Sequence, residues 1–144
     1  MRASVRSGGE LLGSIERGAV VLVGIASGDT SQLVDRMADK LIGLRYFDDP
    51  EGRTNLALAD VGGGLLVVSQ FTLLADLRRG RRPGFAFAAA PDTAEPLVER
   101  VIERLRVSGA RVETGRFGAS MQLELVNDGP FTLLLDSDRD LARA

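Results

Sequence analysis

Three short stretches hold the residue types able to do chemistry. In SQFTLL, Ser69 to Leu74, a serine, a glutamine and a threonine interrupt an otherwise apolar run. Unpaired polar groups are costly in such a setting. Either they bond to neighbouring backbone, or the end of the strand presents hydroxyls, an amide and backbone N–H donors to a pocket. Directly after it, RRGRR sets Arg78, Arg79, Arg81 and Arg82 around Gly80. Clustered guanidinium groups suit phosphate, and they equally suit a solvated hairpin tip. In NDGPFT, Asn127 to Thr132, a Gly-Pro pair separates two strand-like runs, Met121–Val126 and Phe131–Leu135. Proline has no N–H to give a ladder, and Asn, Asp and Gly are ordinary turn residues. The six letters alone read as a tight turn.

What the chain lacks narrows the chemistry further. Its 144 residues contain no cysteine and no histidine. That excludes disulfides, thiolate nucleophiles, Cys/His zinc sites and every Ser–His–Asp arrangement. Acid–base work would fall to carboxylates, Lys, Tyr, backbone groups, water or the substrate. With a net charge of −2 the chain is no globally basic nucleic-acid binder, so any such contact must be a local patch. The most apolar stretch, Leu65–Ala75, is too short for a membrane span, and MRASVRSGGE has no apolar signal core. The expectation is a soluble cytoplasmic protein with no membrane association.

The elements that must position these stretches follow from hydrophobic periodicity. ELLGSIERGAVVLVGIA reads as two strands, Glu10–Ile15 and Ala19–Ala26, joined in a hairpin-like turn at Gly18. Leu33/Val34, Met37/Ala38, Leu41/Ile42 and Leu44/Arg45 then recur at helical spacing behind an Asp29 or Thr30 cap. DDPEG is a turn, TNLALADVGGG a short strand and a glycine turn, and Leu65–Leu74 a buried strand. The triple glycine lacks the spacing of a nucleotide-binding motif. PDTAEPLVERVIERLRVSG predicts a second amphipathic helix with Leu97/Val98, Val101/Ile102 and Leu105 on its apolar face. Asp92 and Glu95 resemble a capping box, Pro96 falls in the first turn, and Gly109 is the stop. Met121, Leu123 and Leu125 share one face of a strand, and Phe131–Leu135 reads as the last one. These elements predict an α+β domain over 1–137 with a C-terminal tail over 138–144. Its architecture would be a curved, antiparallel-rich sheet or partial β-barrel with two helices packed on one side.

All three of the chemical stretches also carry a resemblance. VVSQFTLLAD followed by RRGRRPGF, then ETGRFGASMQLELVNDGPFTLLLDS, is similar to the two signature regions of the D-aminoacyl-tRNA deacylase family. The similarity runs from Arg2–Val5 to Leu133–Ser137. It implies a homodimeric β-rich fold, no cofactor and no metal, and hydrolysis of the ester between a D-amino acid and tRNA. It also implies that Gly129–Pro130 is a cis peptide reaching across the dimer into the partner's site. There its carbonyls would leave no room for an L side chain, so chirality is tested by rejection. Glycine has no side chain to reject, and glycyl-tRNA, including tRNA-Ala mischarged with glycine, is therefore an expected substrate.

By the same resemblance Gln70, Phe71 and Thr72 belong to the catalytic strand, with the Phe71 and Thr72 N–H groups facing the oxyanion. Thr72 lacks an activating base, which leaves water and the ribose 2′-OH for the proton transfers. Ser69, Phe117 and Met121 are implied substrate contacts, with core packing the plain alternative for Phe117 and Met121. Arg78, Arg79, Arg81 and Arg82 are implied contacts to tRNA phosphate. Family members usually carry an earlier strand ending in a QRV-like run, whereas here Met1 directly precedes RASV. The expectation is an exposed sheet edge and a looser specificity site. Two other readings compete with the editing hydrolase: a catalytically weak tRNA- or RNA-binding module of the same fold, and an editing domain for a misacylated L-amino acid.

Overall fold

Four residues, Leu65 to Val68, are all buried, and the computed structural model, which describes residues 2–142, shows why. They belong to β6 (Gly64–Ser69), a strand covered on both faces. Side chains alternate along a strand. Leu65 and Val67 therefore enter one core with Val98, Val101 and Leu105, while Leu66 and Val68 enter a second with Ala3, Val5 and Ile15. Leu65, Leu66 and Leu105 are fully buried, each contributing roughly 1.5–3 kcal/mol.

β6 is the middle strand of a parallel sheet. β3 (Gly18–Val23) pairs with it in register from Gly18↔Gly64 to Val23↔Ser69, and β7 (Arg111–Thr114) pairs along its other edge. Parallel neighbours need crossovers. These are supplied by α1 (Ser31–Gly43) and α2 (Pro91–Val107), which pack on one face of the sheet. The other face meets an antiparallel sheet in the order β2-β1-β8, built from Glu10–Ile15, Ala3–Ser7 and Gln122–Leu125. A small hairpin, β4 (Arg45–Asp48) with β5 (Thr54–Ala57), completes the mixed α/β architecture.

Several sequence expectations change here. Glu10–Ile15 and the next strand form no hairpin; β2 pairs with β1 and β3 with β6, so the layer under the helices is parallel. Gly18 is needed for close approach to Gly64: a Cβ on it would collide with the Gly64 carbonyl oxygen. Thr30 caps α1, its hydroxyl accepting from the Leu33 N–H. α2 begins at Pro91 behind Ala90, which has no side-chain cap, so Asp92 lies inside the first turn and no capping box forms. Pro96 stands in the second turn, within the helix. Phe131–Leu135 forms no strand. Its β-forming residues find no ladder partner among the described residues, and Phe131, Leu133 and Leu134 are exposed. The chain closes with a helical turn, α3 (Ser137–Asp140), and the Arg36 guanidinium donates to the Ala142 carbonyl.

Two bidentate ion pairs join the helices. Arg100 donates to Asp35 through two 2.8 Å bonds, and Arg104 to Asp39 through two more. The arginine hydrogen bonds hold both carboxyls below their ordinary value of 3.8. A carboxylate whose folded value is depressed stabilises the fold above its unfolded value and loses that contribution as pH falls through the folded one. The melting temperature should therefore fall on acidification from about pH 5 to about pH 3. Asp35→Asn with Asp39→Asn should flatten part of that fall, as thermal melts across the range would show.

Candidate active site

The polar end of β6 turns a corner. Ser69 is the last strand residue, and Phe71–Leu74 is a 3-10 turn where the sequence read a continuing strand. Gln70, at φ −145 and ψ 80, makes the bend, and its N–H donates to the Val23 carbonyl at 2.7 Å. The turn sits on the end of β3 because residue 24 is glycine; a Cβ there would collide with Leu74 Cδ2.

The corner has a chemical consequence. A helical turn leaves its first N–H groups without internal acceptors. Leu73 and Ala75 bond back to the Gln70 and Thr72 carbonyls, at 3.2 and 3.1 Å. The Phe71 and Thr72 N–H groups have no partner among the described residues. Both residues are exposed, so two adjacent amide donors without partners lie at the corner that follows Ser69. The Thr72 hydroxyl is engaged by its neighbour, accepting from the Gln70 side-chain amide.

An open groove of about 450 Å³ begins next to this corner. Val67, Ser69, Thr114, Gly115 and Phe117 line one side; Glu95, Val98, Glu99, Ile102, Glu103 and Arg106 of α2 line the other. Of the residues singled out from sequence, Ser69 and Phe117 thus meet in one groove. Phe117 also packs on the core under the helices. Met121 lies just behind, packed on the second core, with its sulfur accepting from the Arg116 N–H at 3.4 Å. Gly115 permits this, since a Cβ on it would stand 2.6 Å from that sulfur. Sequence reasoning missed the acidic ridge of α2. Its signal was available in the four-residue spacing of Glu95, Glu99 and Glu103, which places them on one helix face.

The arginine stretch forms a hairpin closed by Asp76 and Gly84, which exchange backbone hydrogen bonds of 2.7 and 2.9 Å. Arg78 is committed to this loop. It grips Asp76 through two bonds of 2.8 and 2.9 Å and lies over the Phe87 ring at 5.3 Å. Those bonds hold the Asp76 carboxyl below, and the Arg78 guanidinium above, their ordinary values. Arg79, Arg81 and Arg82 remain exposed at the tip. The return leg runs back past the corner, where Phe85 meets Phe71 edge-on at 5.0 Å.

Gly129–Pro130 is a cis peptide, in agreement with the expectation, and both residues are exposed. Neither lines the groove of their own chain.

Comparison with known proteins places the sequence and the fold. The D-Tyr-tRNA(Tyr) deacylase family profile matches residues 1–136. A D-aminoacyl-tRNA deacylase of Symbiobacterium thermophilum is 54% identical over 138 residues, covering 96% of this chain and 91% of that protein. One from Anaeromyxobacter dehalogenans is 56% identical, with 96% and 93% covered. Among solved structures, a c-Myc DNA unwinding element binding protein superposes with a TM-score of 0.87 at 38% identity, over 94% of this chain and 92% of that one. A probable eukaryotic D-amino acid tRNA deacylase shares the fold, with a TM-score of 0.74 at 19% identity, over 85% and 87% of the two chains. The chain belongs to the D-Tyr-tRNA deacylase family.

Proposed function

We propose that this protein is a D-aminoacyl-tRNA deacylase, cleaving the ester between a D-amino acid and the 3′-terminal ribose of tRNA to release the two. Family membership and the relatives above support the activity. The observation that carries the chemistry is the pair of unpartnered N–H groups at Phe71 and Thr72. Water adds to the ester carbonyl carbon, and the carbonyl oxygen takes up negative charge against the two donors. The intermediate collapses with cleavage of the carbon–oxygen bond to ribose. The proton given up by water reaches the departing ribose oxygen through the neighbouring hydroxyl.

Gln70 orients the Thr72 hydroxyl, while Ser69, Phe117 and Met121 flank the substrate. The protein works as a homodimer, in which Gly129 and Pro130 of one subunit face the α-carbon in the other and exclude L side chains. That the Gly-Pro tip lies outside its own chain's groove supports this cross-subunit role. The curved sheets form a partial barrel in each subunit of a cytoplasmic enzyme without cofactor. A binding module that keeps the fold but lacks turnover is the alternative.

One assay separates these readings: deacylation of D-Tyr-tRNA, L-Tyr-tRNA and glycyl-tRNA side by side, with chelator present. Loss of the D and glycyl esters with the L ester intact is expected. Binding of tRNA without cleavage of any ester would favour the module, and cleavage of the L ester would refute rejection by exclusion.

Arg79, Arg81 and Arg82 hold tRNA phosphate in this reading, and Arg78 shapes the loop that presents them. Replacing the three tip arginines by alanine should weaken tRNA binding at low salt. It should also reduce the slope of log affinity against log salt by about two to three. Arg78→Ala alone should change that slope by about one or less. A fluorescence titration at several salt concentrations measures both.

A further inference from the structure

From Glu124 to Leu134 every residue is exposed. The last backbone tie before the Gly-Pro tip is the Val126 N–H, donating to the Arg2 carbonyl at 3.0 Å. Among the described residues no backbone–backbone hydrogen bond involves positions 127 to 132. One side chain bridges the tip. Asn127 Oδ1 accepts from the Phe131 N–H at 3.0 Å, and Asn127 Nδ2 donates to Thr132 Oγ1 at 3.0 Å. These two bonds bridge Asp128, Gly129 and Pro130, tying the residue before the tip to both residues after it. Asn supplies an acceptor and a donor from one planar amide, the arrangement that lets it stand in for a backbone turn. Nothing inside the tip does the same work, since Gly129 has no side chain and adopts a φ of +124 that other residues rarely reach.

We propose that Asn127 is the positioning residue of the specificity site, with Thr132 as its second anchor. Its carboxamide sets the aim of the Gly129 and Pro130 carbonyls. The inference rests on the reading above, in which those carbonyls meet the substrate α-carbon. An untethered tip would have to be ordered each time substrate binds, at an entropic cost for every residue fixed. A tip that samples several directions would also leave room for L side chains. The tether therefore acts on selectivity and turnover. It contributes little to the stability of its own chain's fold, because the tip buries nothing within that chain.

The test compares Asn127→Ala, Asn127→Asp, Thr132→Val and the double variant Asn127→Ala/Thr132→Val with the parent. Asn127→Ala should exchange the Phe131 amide proton about tenfold faster. It should lower kcat/KM for the D ester by about 10- to 100-fold and raise cleavage of the L ester relative to it, with an unchanged melting temperature. Asn127→Asp should restore most of the selectivity, because a carboxylate accepts from both the Phe131 N–H and the Thr132 O–H. Thr132→Val should fall between, and the double variant should be no worse than Asn127→Ala, because the two residues share one bond. Parent-like selectivity in Asn127→Ala would overturn the proposal. Gly129→Ala, measured beside it, tells which premise failed. If Gly129→Ala shifts selectivity and Asn127→Ala does not, the tip meets substrate but Asn127 does not aim it. If neither shifts it, the reading of the tip fails and takes this inference with it.

Discussion

Phe71→Pro is expected to lower kcat by about 10²- to 10³-fold, the loss typical of deleting one oxyanion donor. Phe71→Ala should lose at most about tenfold. The two variants differ in the group that matters. Both remove a ring that is 57% exposed and touches Phe85 edge-on at 5.0 Å. Only proline also removes the N–H. The site tolerates that change better than most. Residue 71 opens a helical turn, where proline's fixed φ fits and the missing N–H breaks no internal bond. Gln70, at φ −145 and ψ 80, already lies outside the helical region that a following proline disfavours. Steady-state rates on D-Tyr-tRNA, with circular dichroism to verify folding, would decide. Equal losses in the two variants would move the catalytic weight from the amide to the ring. Thr72→Ala belongs in the same set and should keep activity within about tenfold, since it removes a hydroxyl and leaves the N–H. A folded Thr72→Ala enzyme without turnover would overturn the assignment of the chemistry to the amides and make the hydroxyl essential.

That the donors come from a turn was not legible in the sequence. Ser69 to Leu74 contains Phe and Thr, good strand formers whose preference depends on context, and nothing local marks where the ladder stops. The stop is set by β3. It pairs only as far as Val23↔Ser69, and Gly24 then gives the 3-10 turn room to fold back. Helices were easier to read, because the stripe Ala94, Val98, Val101 and Leu105 repeats within one element. The burial of Leu65 to Val68 was also legible, since a strand covered on both faces has no polar positions.

Strand partners were harder. Gly18 looked like a hairpin turn, yet its strand pairs with one beginning at Gly64, a contact no local pattern reports. Phe131–Leu135 shows the opposite failure: strand-like composition with no strand partner among the described residues. Of the residues the motifs singled out, Ser69 and Phe117 line one groove. The facing carboxylates of α2 were missed because only the fold brings that helix to the end of β6.

Gly18→Ala is the substitution expected to cost most in stability, about 3 kcal/mol or more, with activity lost in proportion to the unfolded fraction. At Gly18 the chains of β3 and β6 approach so closely that a Cβ would collide with the Gly64 carbonyl oxygen and lie 2.7 Å from its carbon and its nitrogen. All three atoms are backbone, so no rotamer change relieves the clash. The strands must separate at their first paired position, Gly18↔Gly64. Separation there does not stay local. The same ladder runs without a break to Val23↔Ser69 and continues through the Gln70 N–H to the Val23 carbonyl. Shifting its origin therefore displaces the corner that aims the Phe71 and Thr72 donors. Gly43→Ala is the matched control. It closes α1 with nothing within 4 Å of a Cβ and no positive φ, so it should be neutral or add up to about 1 kcal/mol. Urea titrations of the two variants would test the contrast. A Gly18→Ala protein as stable as its parent would mean that β3 and β6 do not meet at these glycines, and that the register carrying Ser69 to the site is set elsewhere.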